Sequence, residues 1–330
     1  MKSGYKKQFK IGNKVFPNNI FYAPICGYSD FSQREMSLKH EPGLVFCEMV
    51  KVEALIRKTN STYKLLKYNR NRRPIAAQIC GSSIDSIKNA AVMIEEMGFD
   101  LIDFNCGCPV PKVLKDGSGS AMLKAPDKIG EIIFEIKNLV SIPVTLKIRS
   151  GFDESSIIAP KIVKIAENAG ADAITIHGRT KTQGYSGAVD LDVIKECKKV
   201  SKRIKIIGNG DLFTPLDVKN MFDYTHCDGV MIARGMLGKP FFVKMVENFY
   251  NEKEDYFNID FLKNQMLEHF ELLNKNEEKR KALIFMKKNA PFYLKNFLGI
   301  KKLRQNVAEA KSIEDLFALI KNFDYQDLNI

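Results

Sequence analysis

Residues 75–80 read IAAQIC, 101–105 read LIDFN and 143–149 read PVTLKIR. Each is a short apolar run without the polar alternation of a half-solvated strand. A strand of a parallel sheet, buried on both faces, carries that signature. Outward from these, the signature recurs at IFYAP (20–24), LVFCEMV (44–50), AITIHG (173–178), IKIIGNG (204–210) and GVMIARG (229–235). Neighbouring runs are far enough apart for a helix and two loops. Helical periodicity fills several gaps: Ile84, Ile87, Ala91, Ile94 and Met97 share a face ahead of Gly98, and Ile129, Ile132, Ile133, Ile136 and Leu139 follow Pro126. A third helical pattern covers 157–169, before Gly170. Eight βα units in about 235 residues predict an α/β protein, a (β/α)8 TIM barrel. A doubly wound open sheet is the alternative for alternating strands and helices. No GxGxxG follows the first run, which weighs against its dinucleotide-binding form.

Beyond residue 245 the strand pattern stops, and 260–274, 278–298 and 312–323 read as amphipathic helices. We therefore expect a catalytic barrel at 1–245 and a smaller, all-helical C-terminal domain at 246–330, with NEKEDYFN (251–258) as the polar junction.

The composition is that of a globular chain of 330 residues, 45% hydrophobic and 27% charged, which excludes disorder and a disulfide miniprotein. No apolar run is long enough to span a membrane, and the charged N-terminus lacks the apolar core of a secretory signal, so a cytoplasmic protein is expected. Seven cysteines without a CxxC pair suggest neither a disulfide framework nor a metal site. The formal charge of +12 points to an acidic partner such as nucleic acid.

In a barrel, chemistry gathers at the C-terminal ends of the strands. Those ends carry Cys26, Gln78, Asn105, Cys108, Lys147, Arg149, His177, Arg179, Asn209, Asp211 and Arg234. Burying so many amides and cations is costly unless a polar ligand satisfies them. The Gly-rich GNGD (208–211) and ARG (233–235) loops suit a phosphate. Gln78 can donate and accept toward a heterocyclic amide edge. Lys147 and His177 are expected to place positive charge beside an anionic reduced ring. A flavin mononucleotide fits this set, with a sugar phosphate as the alternative.

NCGCP (105–109), KIRSG (147–151), HGRTKTQGYSG (177–187) and NGD (209–211) resemble the tRNA-dihydrouridine synthase family, most closely its bacterial DusB type. The resemblance runs through residues 14–245 in ordered motifs. It implies an FMN enzyme that reduces the C5–C6 double bond of particular tRNA uridines with NADPH. By motif, Pro24, Ile25 and Cys26 would line the flavin, and Gln78 and Lys147 would bind its ring. His177 would pack near the ring, and Asn209, Gly210, Asp211, Ala233 and Arg234 would hold the ribityl phosphate. Cys108 would be the catalytic acid, with Asn105, Arg149 and Arg179 toward the uracil. The chain departs from the family pattern at Cys26, Cys106 and Ala233.

For uridine reduction, hydride arrives at C6 and a proton at C5, so an acid must face the flavin across the uracil. An ordinary thiol is mostly protonated at neutral pH and can serve. Cys106 is expected to face inward. The extruded base must be held through contacts to the rest of the tRNA. Residues 279–304 carry nine Lys or Arg and no acid, from which Lys287, Lys288, Lys295, Lys301, Lys302 and Arg304 are the expected phosphate contacts. Residues 57–73 carry seven more, interleaved with Tyr63 and Tyr68, which suit base stacking. A small-pyrimidine oxidoreductase and a non-catalytic tRNA-binding module are the competing readings. No protein partner is implied.

Overall fold

The computed structural model describes residues 4–254, 257–295 and 300–323. The chain opens with an antiparallel hairpin, β1 (Lys7–Ile11) and β2 (Lys14–Asn18), and continues through nine parallel segments. These are β3 (Ile20–Tyr22), β4 (Leu44–Phe46), β5 (Val50–Lys51), β6 (Ile75–Cys80), β7 (Leu101–Cys106), β8 (Val144–Arg149), β9 (Ala173–His177), β10 (Lys205–Asn209) and β11 (Gly229–Ile232). The sheet runs β4-β3-β11-β10-β9-β8-β7-β6-β5, and pairing of β4 with β6 closes it into an eight-stranded barrel. The 44–50 run is one barrel strand with a break: Cys47 donates its N–H to Ala76 O at 2.8 Å, and pairing resumes where Val50 meets Ile79. All eight predicted runs are barrel strands.

Helices surround the barrel, and their boundaries follow local chemistry. Ser83 caps the helix Ile84–Glu96, and Gly98 (φ +86°) ends it in a left-handed conformation. Thr214 and Asp217 form a capping box for Pro215–Thr225, with proline in the first turn. The outward-facing strand residues, such as Ile102, Phe104, Leu146, Ile148, Ile174 and Ile176, form one core with the helices.

Inside the barrel, side chains two residues apart lie in successive layers. The N-terminal layer is apolar, with Phe21, Leu44, Ala76, Leu101, Ala173, Ile207 and Met231. Phe9, Ile11 and Phe16 of the β1–β2 hairpin plug it from below. The sequence reading assigned no role to this hairpin; its signal was the Gly12-Asn13 turn between short alternating stretches. Two residues further along each strand the interior turns polar: Gln78, Asp103, Thr145 and Thr175, then Asn105, Lys147, His177 and Asn209.

The helix Phe242–Tyr250 spans the expected 245/246 boundary and packs with the barrel core through Val243 and Val246. A second core begins beyond it, built from helices Ile259–Asn276, Lys279–Tyr293, Lys301–Glu309 and Ile313–Lys321. The barrel core thus takes in this helix up to Tyr250, and the second core starts at Ile259. Residues 296–298 of the expected 278–298 helix lie outside the described residues. The Lys301–Glu309 helix lies outside the predicted helices: with three Lys or Arg ahead of its single acid, Glu309, its apolar stripe shrinks to Leu303 and Val307.

The helical domain packs along the helix Phe31–Leu38 and reaches the barrel mouth through Gly27 and Gly238. His40 Nε2 lies 2.9 Å from Gln265 Oε1, and Phe241 meets Phe261 edge-on with centroids 5.0 Å apart. Gly238 (φ +69°) lies against the Phe292 backbone, where a Cβ would collide with Phe292 and Tyr293.

Candidate active site

The polar end of the barrel opens into a cavity of about 310 Å³. Every pocket residue expected from the sequence lines it except Arg179. Met49, Tyr185, Leu212 and Phe213 also line it and were not anticipated.

Three hydrogen-bonded groups build its walls. Lys147 donates to Asn209 Oδ1 at 2.9 Å, and Asn209 Nδ2 donates to Met231 O at 2.7 Å. Burial, reinforced by the neighbouring Arg149 charge, lowers the Lys147 ammonium to about 8, while Asp103 opposes the shift. His177 corrects an expectation. Burial first, then the charges of Lys147, Arg149, Arg179 and Arg234, push its pKa down to about 2. Its imidazole is therefore neutral and supplies shape, not charge. Lys147 alone of that pair places positive charge in the cavity floor.

The second group surrounds Asp211 (φ +47°). Arg179 grips its carboxylate with Nη1 at 3.0 Å and with Nη2, and Arg234 Nη2 reaches Oδ1 at 2.7 Å. The hydrogen bond from Arg179 is the main cause holding the Asp211 carboxyl below its usual range. Arg179 is 2% exposed and also donates to the Ser186 and Gly187 carbonyls, so it braces the phosphate-side loops from behind. Two guanidiniums around one carboxylate leave a local charge near +1, which suits an anion. Arg234 also covers the Tyr185 ring at 4.7 Å.

The third group is the Cys108 loop. Asn105 Oδ1 accepts from the N–H groups of Gly107 (3.1 Å) and Cys108 (2.9 Å). On the other side, Cys108 O accepts from Ser120 N and Ser120 Oγ, both at 3.0 Å. Gly119 (φ +61°) backs this loop, and a Cβ there would sit 2.8 Å from Cys108 O. Arg149 Nε donates to Gly107 O at 3.0 Å, and Nη1 to the Thr180 and Gly184 carbonyls at 2.7 and 2.9 Å. Its guanidinium thus ties two mouth loops together, and burial lowers its pKa. Cys26 lines the same cavity, and desolvation of its thiol, with Glu48 and then Cys108 next, raises its pKa. Cys106, expected to face inward, instead follows Ile102 and Phe104 on the outward face of β7, fully buried under the helices and away from the cavity.

The basic residues divide. Lys295, Lys301, Lys302 and Arg304 are exposed and Lys287 is half-buried. Lys288 turns inward, donating to Gly27 O at 2.7 Å and lying 3.6 Å from the Tyr28 ring centroid. In the 57–73 cluster, Arg73 chelates Asp100, Lys67 donates to Asn276, and Tyr68 packs on Phe99 with its hydroxyl on Met97 O. Tyr68 is thereby committed to the fold, while Arg57, Lys58, Lys64 and Arg70 remain exposed. All seven cysteines are free, and no metal-binding cluster of His, Cys, Asp or Glu exists among the described residues. No described helix is long and apolar enough to cross a membrane.

A barrel that gathers amides, cations and a thiol around one cavity at the C-terminal ends of its strands defines a (β/α)8-barrel enzyme site. Solved barrels with the same fold include histamine dehydrogenase from Rhizobium (TM-score 0.57, 14% identity, 81% of this chain and 50% of that one) and morphinone reductase (TM-score 0.54, 12% identity, 77% and 91%). The family model for dihydrouridine synthase matches residues 21–326. A probable tRNA-dihydrouridine synthase from Treponema pallidum is 31% identical over 94% of this chain and 95% of its own length. A tRNA-dihydrouridine synthase B from Pasteurella multocida is 34% identical over 86% of each. The chain belongs to the dihydrouridine synthase family, and its likeness extends to members of the B type.

Proposed function

We propose that this chain is an FMN-dependent tRNA-dihydrouridine synthase of the B type that reduces the C5–C6 bond of specific tRNA uridines with NADPH. The observation that carries this reading is the convergence on one cavity of Cys108 with the Gln78, Lys147, Asn209 and Arg234 side chains.

The donor set fits FMN. Lys147 uses one of its three N–H bonds on Asn209, which leaves donors for the ring. Gln78 retains an amide hydrogen and a carbonyl lone pair toward the cavity. Asn209, Gly210, Asp211, Ala233 and Arg234 would hold the ribityl phosphate, with Arg234 as its cation. Pro24, Ile25, Cys26 and neutral His177 would line the ring. Bound there, FMN supplies the hydride for C6 of the uracil.

The rest is the work of the chain. Cys108 holds a proton at Sγ and delivers it to C5, on a loop clamped by Asn105 and Ser120. Asn105 and Arg149 line the same chamber, and Arg179 supports it through Asp211. Lys287, Lys295, Lys301, Lys302 and Arg304 contact tRNA phosphates, and their binding energy offsets extrusion of the target base. Lys288 belongs to this set by sequence, although its ammonium is engaged within the protein. A basic helical unit seated on the mouth disfavours a free-pyrimidine substrate.

Isotopic labelling tests the mechanism. With the protein loaded with the 5-deaza analogue of FMN, whose transferable hydrogen does not exchange with water, and with NADPH and unmodified tRNA in deuterated water, the solvent label is expected at C5 of dihydrouridine. Solvent label at C6 in place of C5 would contradict the assignment of hydride and proton.

A further inference from the structure

Asp103 is fully buried inside the barrel, two residues before Asn105 on β7. Its register partners are Gln78 on β6 and Thr145 on β8. Gln78 Nε2 donates to its Oδ2 at 2.7 Å, and Thr145 Oγ1 donates to its Oδ1 at 2.6 Å. The line continues upward: Asn105 Nδ2 donates to Gln78 Oε1 at 2.9 Å, and Asn105 Oδ1 accepts from Gly107 and Cys108 N–H.

This line has fixed polarity. Backbone N–H groups at its upper end can only donate. A carboxylate at its lower end can only accept. Each amide between them is therefore locked in one of its two orientations. Burial raises the Asp103 pKa to about 6, against the bonds from Thr145 and Gln78, so above neutral pH it remains the acceptor. A buried polar group that loses its partner is destabilised, so release of one end drives Gln78 to turn toward another.

We propose that Asp103 is a positioning residue for the reaction: by fixing the Gln78 amide it sets the face offered to the flavin ring, and through Asn105 it steadies the Cys108 loop. This rests on the FMN reading above. A rival role is simple counter-charge to Lys147, and substitution separates the two. Asp103→Asn keeps an acceptor for Gln78, with its own amide hydrogen directed at the Thr145 oxygen, yet removes the charge. Asp103→Leu removes both.

The experiment is FMN titration of the flavin-free proteins at pH 8, read by flavin fluorescence and by the visible spectrum of the complex. Thermal unfolding reports whether each variant is folded. We expect Asp103→Asn to bind within about threefold of the parent and with its spectrum. Asp103→Leu is expected to bind about tenfold more weakly or worse, with an altered spectrum. Asp103→Ser, too short to reach Gln78 but without apolar bulk, should behave like Asp103→Leu and replaces it if that variant does not fold. Equal loss in Asn, Leu and Ser variants would establish the counter-charge role and overturn the proposal, as would parental affinity and spectrum in the Leu or Ser variant. Failure of the parent protein to bind FMN would instead overturn the cofactor reading itself.

Discussion

Lys288, on a helix of the C-terminal domain, donates its ammonium to the carbonyl of Gly27, in the loop after the first barrel strand. Tyr28 lies under the same ammonium at 3.6 Å and meets Phe292 edge-on at 5.6 Å. Gly27 in turn donates its N–H to Glu48 at 2.6 Å. Pro24, Ile25 and Cys26 line the cavity from this loop, so the helical domain braces one wall of the cavity through Gly27.

Lys288 and the exposed lysines are therefore expected to fail differently. Lys288→Met should weaken FMN binding by about tenfold, since hydrogen bonds to charged groups contribute about 1.5–3 kcal/mol. It should leave the salt dependence of tRNA affinity unchanged. Lys301→Ala and Lys302→Ala should each flatten that dependence by a little under one power of salt concentration and leave FMN binding intact. Binding measured across a salt series checks both expectations.

Gly238→Ala tests the seam between the two units. The position has φ +69° and abuts the Phe292 backbone. Strain and collision together should cost about 1–3 kcal/mol, read as a lower unfolding temperature and easier proteolysis of the helical domain. Flavin binding should persist more than tRNA affinity does.

Lys147 makes the cofactor site pH-sensitive. Its folded pKa is lowered to about 8 from 10.5, so between those values the unfolded chain binds the extra proton. The flavin-free protein should accordingly gain stability from this group as pH rises from about 8 toward 10.5, and Lys147→Met should lack that gain. FMN affinity should fall above about pH 8, where the free site loses its ammonium. Lys147→Arg should bind without that decline. The same decline in Lys147→Met would assign it to another group.

Cys108→Ala should bind FMN and tRNA normally and accept hydride from NADPH, but lose about 10²–10⁴-fold in dihydrouridine formation, the usual worth of a general acid. Single-turnover product analysis distinguishes this from a loss of substrate affinity.

The barrel was legible because each of its strands is buried on both faces, so continuous apolar runs such as IAAQIC and AITIHG survive in the sequence. The cavity lining was legible because polar residues gather at those strand ends; what the sequence could not separate is that Arg179 is buried to bond Asp211 and loop carbonyls and does not line the cavity. Three features were hidden for physical reasons. Asp103 sits in LIDFN, where one carboxylate in an apolar run gives no sign of its partners on β6 and β8. His177 looks like a source of charge until its burial, and after that the four cations around it, are placed in space. Lys288 is indistinguishable from Lys287 in sequence, and only the helix's packing decides which of the two turns toward the barrel.

The most direct test is an anaerobic half-reaction. The flavin-loaded protein is reduced with NADPH, freed of excess reductant and mixed with tRNA prepared without modifications. We predict reoxidation of the flavin spectrum with stoichiometric dihydrouridine in the tRNA. A reduced flavin that persists with this tRNA and with a full set of unmodified tRNAs, yet is reoxidised by a free pyrimidine, would contradict tRNA uridine reduction as the function of this chain.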